Sequence, residues 1–236
     1  MATVVLVRHG RTAANASGIL AGRTAGVGLD ADGVEQAIRT AERLAAVPLR
    51  AVISSPLERT VETGETIVTA QNAHGRDLVL QEDPSFIECD YGTWTGRSLK
   101  DLSKESTWKQ VQGHPSSVTF PEGEGMLAMQ MRAVHGIRSW NEMLGADSIY
   151  AVISHGDVIK SILADALGMH LDHFQRLSVD PCSVSIIDYT PLRPFVQRVN
   201  DSSGDLDAVA RRFTKPKSKR RSAKSSDAAI GGGSGS

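Results

Sequence analysis

Hydrophobic positions along the chain fall into short β-branched runs separated by longer segments of helical period. Thr3 to Val7 (TVVLV) is a continuous apolar run, as a strand buried on both faces is, and it stops at Arg8-His9-Gly10, which cannot simply continue a core. Asp32 to Ala46 places Val34, Ala37, Ile38, Ala41, Leu44 and Ala45 at helical spacing, and Pro48 ends it. Ala51-Val52-Ile53 predicts a second strand. Ser54-Ser55-Pro56 then predicts a helix start, running from about Leu57 to Ala70. Leu78-Val79-Leu80 is a further short strand candidate. From Asp83 to Gly125 the pattern is broken by Gly, Pro, Ser and Thr, with one helix around Leu99–Val111. Irregular segments of that length inside a domain commonly serve as lids or binding loops. Met126–Leu144 predicts a helix, Ser148–Ser154 a buried strand, and Asp157–Leu167 another helix capped by Gly168. Ser183–Tyr189 and Phe195–Val199 predict a terminal hairpin. Strands alternating with helices imply a three-layer α/β/α sandwich around a mostly parallel sheet.

Chemistry gathers where those strands end. VVLVRHG ends at His9 and YAVISHG at His155, each followed by a glycine that permits close backbone approach. In an open α/β sheet, ligands bind at the carboxyl ends of the strands, so one shared pocket is expected. AVISS ends shortly before Arg59, which places Arg8 and Arg59 at the same crevice. Two arginines converging with two histidines make an anion site, and planar guanidinium forks suit phosphoryl oxygens.

Composition narrows the setting. The 236 residues are 40% hydrophobic and 22% charged, ordinary for a chain that buries its own core. No apolar run approaches the ~18 residues of a membrane span, and the N-terminus has no basic and apolar leader pattern. Cys89 and Cys182 are the two cysteines. They cannot form a disulfide framework, and no ligand spacing suits structural zinc, so a reducing cytoplasm and a metal-free, cofactor-free site are expected. The net charge of −1 hides an asymmetry: eight basic residues but only one acid, Asp227, lie beyond residue 210. The expected organisation is a folded domain over 1–205 and a basic, then Gly/Ser-rich, disordered tail over 206–236.

The motifs occur in a fixed order: strand-RHG-R-T-x-x-N, SSPLERTxET, E-x-x-x-G-x-W-x-G and strand-SHGD. With them the chain resembles the histidine phosphatase superfamily, the phosphoglycerate mutase-like proteins, from about Thr3 to Asn200. It looks most like the small actinobacterial members described as phosphomutases or acid phosphatases. The resemblance implies that His9 is the nucleophile that becomes phosphohistidine, and that Arg8, Arg59 and His155 clamp the phosphate. It further implies that Asn15, with Thr12 and Gly22, belongs to the substrate-binding set, and that Glu88, in FIECDYGTWTG, is the proton donor. A protonated His155 beside the two arginines would supply the charge that phosphoryl transfer needs without a metal. A Glu88 near a phosphate dianion and partly desolvated should have a raised pKa, which predicts an acidic pH optimum.

Other residues read more blandly. Cys89 is expected as a small buried hydrophobe, and Asp157 as a helix-start carboxylate. Tyr91, Trp94 and Trp108 either line a substrate pocket or pack the irregular segment onto the body, and the loop with Trp94, Trp108 and Phe120 would suit many organic phosphates. Glu124, in FPEGEG, stands near the position of the Glu in the family's Pro-Gly-Gly-Glu-Ser stretch, with Gly125 replacing Ser. The segment Cys89–Gly125 has no adjacent arginine pair of the kind glycolytic mutases use. The expected function is therefore metal-independent hydrolysis of a small organic phosphomonoester through phosphohistidine. The alternatives are a phosphoglycerate-type phosphomutase and, from another class, a non-catalytic phosphate- or polyanion-binding protein. Expected partners are a small phosphorylated metabolite, weak polyanion contact by the tail, no membrane, and a homodimer of the edge-strand kind found among related proteins.

Overall fold

The computed structural model describes residues 2–202. Its centre is a six-stranded sheet of β1 (Ala2–Arg8), β2 (Ala51–Ser54), β3 (Leu80–Glu82), β4 (Ile149–Ser154), β5 (Val184–Tyr189) and β6 (Pro194–Asp201). The strand order is β3-β2-β4-β1-β5-β6. β3, β2, β4 and β1 are parallel, while β5 and β6 join antiparallel at one side. The expected mostly parallel three-layer sandwich is what forms.

The layers follow from the strand period. Val4 and Leu6 face one core with Ile53, Tyr150 and Val152, and Val5 and Val7 face the other with Val52, Ala151 and Ile153. The α-helices among the described residues are α1 (Ala13–Ala16), α2 (Ala31–Leu44), α3 (Glu58–Ala73), α4 (Leu99–Leu102), α5 (Ser106–Gly113), α6 (Met126–Leu144) and α7 (Gly156–Ala166). α2 and α3 cover the second core, and α6 and α7 the first. Among the described residues no helix is long and apolar enough to cross a membrane.

Three local expectations shift. The third strand lies at Leu80–Glu82, shifted two residues from LVL, because Val52, Ile53 and Ser54 pair with residues 80, 81 and 82; Val79 is left 76% exposed. The helix expected over Leu99–Val111 is two short helices, α4 and α5. On α2, the buried face is Gly33, Ala37, Thr40, Ala41 and Leu44, so Val34 and Ile38 point outward although they fit the apolar period. Gly33 explains the rotation: a Cβ there would overlap the carbonyl oxygen of Arg11, and one on Gly10 would crowd the carbonyl of Gly33. Two glycines thus let the start of α2 lie directly against the loop that follows β1. Asp30 caps α2 through the Gly33 N–H at 2.8 Å and takes Arg11 Nε at 2.8 Å, tying helix to loop. The C-terminal end of α7 closes as expected, with Gly168 at φ +64°. The tail from 206 on lies outside the described residues.

Candidate active site

The parallel register brings the strand ends together. Arg8 of β1 lies opposite Ser154 of β4, and the His9 N–H donates to the Ser154 carbonyl at 3.0 Å. His9 and His155 therefore emerge side by side, with ring centroids 5.3 Å apart. β2 lies on the other side of β4 and leads through Ser55 into α3, whose first turn carries Arg59. Arg59 Nη2 donates to the Gly22 carbonyl at 2.7 Å and to His155 Nδ1 at 3.3 Å. Arg8 Nη1 donates to the Val179 carbonyl at 2.8 Å, and the Arg8 carbonyl accepts the Cys182 N–H at 3.0 Å. The turn before β5 thus holds the first arginine from behind.

Glu88 arrives from the irregular segment. Ser154 Oγ donates to the Phe86 carbonyl at 2.7 Å, anchoring that segment to the end of β4. Glu88 Oε2 lies 3.9 Å from His155 Nδ1. Its own carbonyl accepts from Arg23 Nε at 2.8 Å and from Arg132 Nη2 at 3.2 Å. Glu124 holds both of those arginines, at 3.0 Å to Arg23 and 2.7 Å to Arg132. Glu124, next to the Gly125 that departs from the family's stretch, is thus the buttress of Glu88.

His9, Thr12, Asn15, Gly22, Arg59 and Glu88 line one narrow cleft. Arg8, His9, Thr12, Arg59, Glu88 and His155 are all buried. Thr12 and Asn15 form a reciprocal cap on α1, in which Asn15 Oδ1 accepts from the Thr12 N–H at 3.1 Å and from its hydroxyl at 3.0 Å. With its oxygen so held, the Asn15 amide nitrogen is the end that can donate to an anion.

The protonation pattern follows from burial beside fixed positive charge. His9 is held well below the usual histidine range by desolvation, with Arg59 and Arg8 adding to it. Its Nδ1 lies 2.7 Å from the Gly10 carbonyl. A carbonyl only accepts, so Nδ1 carries the proton and Nε2 presents a lone pair. Glu88 is pushed up to about 7 by burial first and the negative charge of Asp157 next, with Arg59 and Arg8 pulling it back. The raised carboxyl is the one expected from the sequence.

The expected protonated His155 is not what this structure holds. Burial, then the charge of Arg59, keeps it well below the usual range. Because Arg59 donates to Nδ1, the neutral tautomer carries its proton on Nε2, which lies 2.8 Å from Ser55 Oγ. Ser55 was not singled out from the sequence; its place in SSP at a strand end was the available signal. Arg23 and Arg132 had none, since their link to Glu88 spans 65 and 44 residues.

The aromatic residues resolve to packing. Tyr91, Trp94, Trp108 and Phe120 are all buried. Trp94 stacks on Trp108 with centroids 6.2 Å apart, and Phe120 meets Tyr91 and Trp94 edge-on. They are a core for the irregular segment, not the substrate-facing loop. The Tyr91 hydroxyl donates to Asp157 Oδ2 at 2.8 Å, and Lys160 Nζ lies 3.8 Å from Asp157 Oδ1, so Asp157 joins that segment to α7. Cys89 is fully buried and its thiol is pushed up by desolvation, the inert hydrophobe expected. Among the described residues, no three His, Cys, Asp or Glu side chains are grouped to hold a metal.

Comparison with known proteins agrees with this architecture. Residues 4–202 match the family described as "Histidine phosphatase superfamily (branch 1)". The protein named "Probable phosphoglycerate mutase GpmB" of Proteus mirabilis is 32% identical over 192 residues, covering 80% of this chain and 86% of that one. Among solved structures, the alpha-ribazole phosphatase of Shigella flexneri has a TM-score of 0.74 at 26% identity, covering 85% of this chain and 96% of that one. YhfR of Bacillus stearothermophilus has a TM-score of 0.77 at 25% identity, with coverages of 85% and 98%. A strand-end pair of histidines flanked by two buried arginines, on a sheet of this order, is therefore held by a chain that belongs to the histidine phosphatase superfamily, branch 1.

Proposed function

We propose that this protein is a metal-independent phosphomonoester hydrolase that works through a phosphohistidine on His9. The observation that carries the reading is the pairing of an Nε2 lone pair on His9, enforced by the Gly10 carbonyl, with a carboxyl pushed up to about 7 across the same cleft. A phosphomonoester dianion enters between Arg8, Arg59, His155 and Asn15. It supplies the counter-charge that His155 lacks, so His155 gains a proton at Nδ1 and becomes a third cationic donor. His9 Nε2 attacks phosphorus in line, the P–O bond to the alcohol breaks, and the Glu88 carboxyl gives its proton to the departing oxygen. The Glu88 carboxylate then takes a proton from water as that water attacks phosphohistidine. The P–N bond breaks, phosphate leaves, and Glu88 is again protonated.

Rapid mixing with a 32P-labelled monoester in EDTA tests this. It is expected to trap label on protein in a form lost in acid and kept in base, and absent from His9→Ala. A relative named as a phosphoglycerate mutase raises the second reading, transfer back to a glycerate. Label chased into free phosphate favours hydrolysis, and label chased into added phosphoglycerate favours the mutase.

The buttress predicts a pH effect. Glu124→Gln removes a negative charge and frees two guanidiniums beside Glu88, which favours the Glu88 carboxylate. The alkaline fall of the pH–rate profile is expected to move to lower pH, with kcat down about 10- to 100-fold from misplacement of the acid. Lower rate with an unmoved profile would reduce Glu124 to a packing role.

The same reading places the protein in the cytoplasm, with residues 206–236 as an accessory that contacts polyanions weakly and a homodimer formed along the edge strand β6, where Phe195 and Val199 are exposed. Truncation after Ser202 is expected to leave turnover and the dimeric state read by light scattering unchanged while abolishing salt-sensitive heparin binding. Lost turnover would move the domain boundary.

A further inference from the structure

The wall of the cleft beyond the phosphate-facing groups is aliphatic, and much of its backbone is already paired. Gly18–Ala21 and Leu99 form it. Ile19 bridges Ser98 antiparallel, the Leu99 N–H donates to the Gly18 carbonyl at 2.9 Å, and the Leu20 N–H donates to the Arg97 carbonyl at 3.0 Å. What this ribbon presents is therefore the side chains of Ile19 and Leu99, both half-buried. The arginines of the flanking segments are engaged by carboxylates. Arg23 meets Glu124 at 3.0 Å and Asp90 at 3.7 Å, Arg97 meets Glu105 at 2.6 Å, and Arg11 meets Asp30 at 2.8 Å and also Asp32.

We infer that the site selects phosphomonoesters whose alcohol is uncharged and apolar next to the ester, with Ile19 and Leu99 as the residues that set this specificity. The inference rests on the hydrolase reading above. An alkyl or aryl leaving group gains apolar contact on Ile19 and Leu99 while Glu88 protonates its oxygen. A leaving group that carries a carboxylate, as a phosphorylated glycerate or serine does, must desolvate that charge against the same two side chains, while the flanking arginines among the described residues are already engaged by carboxylates.

The test compares n-pentyl phosphate with 3-phosphoglycerate, both esters of a primary alcohol, so that intrinsic leaving ability differs little. The wild-type kcat/KM is expected to favour n-pentyl phosphate by about tenfold or more. Ile19→Arg and Leu99→Arg, made separately, are each expected to shift the ratio toward 3-phosphoglycerate by about tenfold. Inhibition by inorganic phosphate, which reports the clamp alone, should stay within about twofold and so shows that each variant is folded. Equal His9-dependent turnover of the two esters, or a ratio that neither arginine moves, overturns the specificity and leaves the hydrolase reading standing. Phosphate release from either ester that persists in His9→Ala overturns both.

Discussion

Replacing His9 with alanine is expected to lower turnover of p-nitrophenyl phosphate at pH 5–6 in EDTA by more than about 10⁴-fold, with little change in melting temperature. The size follows from what is removed. Without Nε2 there is no covalent intermediate, and the clamp and Glu88 can only assist direct attack by water. Knock-outs of nucleophiles that act as part of a unit typically cost about this much or more. Stability should hold because His9 sits at the end of β1 rather than in either apolar core, and its backbone hydrogen bond to Ser154 is independent of the side chain. His9→Asn gives the same loss while filling more of the space. Turnover that survives either substitution, or that disappears in EDTA with His9 intact, would contradict the phosphohistidine route.

Glu88→Gln carries the second large effect, and it depends on the leaving group. For an alkyl monoester, whose alkoxide must be protonated as it departs, kcat/KM is expected to fall about 10²- to 10⁴-fold. For p-nitrophenyl phosphate the loss should be smaller, because p-nitrophenolate leaves without a proton. The pH profile supplies an independent sign. A general acid works only when protonated, and Glu88 is pushed up to about 7. Wild-type activity on the alkyl ester should be sustained below about 7 and fall roughly tenfold per unit above it, the acidic optimum expected from the sequence. His9 is held well below its usual range, so it remains neutral and nucleophilic across that plateau. Glu88→Gln should flatten the alkaline limb. A wild-type profile level through pH 8, or an alkaline limb unchanged in the glutamine variant, would remove Glu88 from the acid role.

The sequence by itself determined the layered α/β fold and most of the pocket. Both are local: short apolar, β-branched runs make strands, and the residues that follow a strand end lie at the sheet's carboxyl edge, which groups Arg8, His9, His155 and Arg59. The short apolar run LVL could not fix its own register, because pairing with β2, not propensity, selects residues 80–82. Val34 and Ile38 fit a helical stripe equally well, and only the contact of Gly33 with the loop after β1 decided which face of α2 turns inward.

Tertiary structure alone decided what surrounds the reacting groups. Arg23 and Arg132 come from separated segments and converge on the Glu88 carbonyl, both held by Glu124, a closure with no sequence period to betray it. The aromatic residues of the irregular segment turned inward, since stacking on one another buries more apolar surface than an open pocket would. The charge state of His155 likewise belongs to the folded site. A histidine's identity is written in the chain, but its proton depends on burial and on two guanidiniums brought from β1 and α3, which is a property of distances.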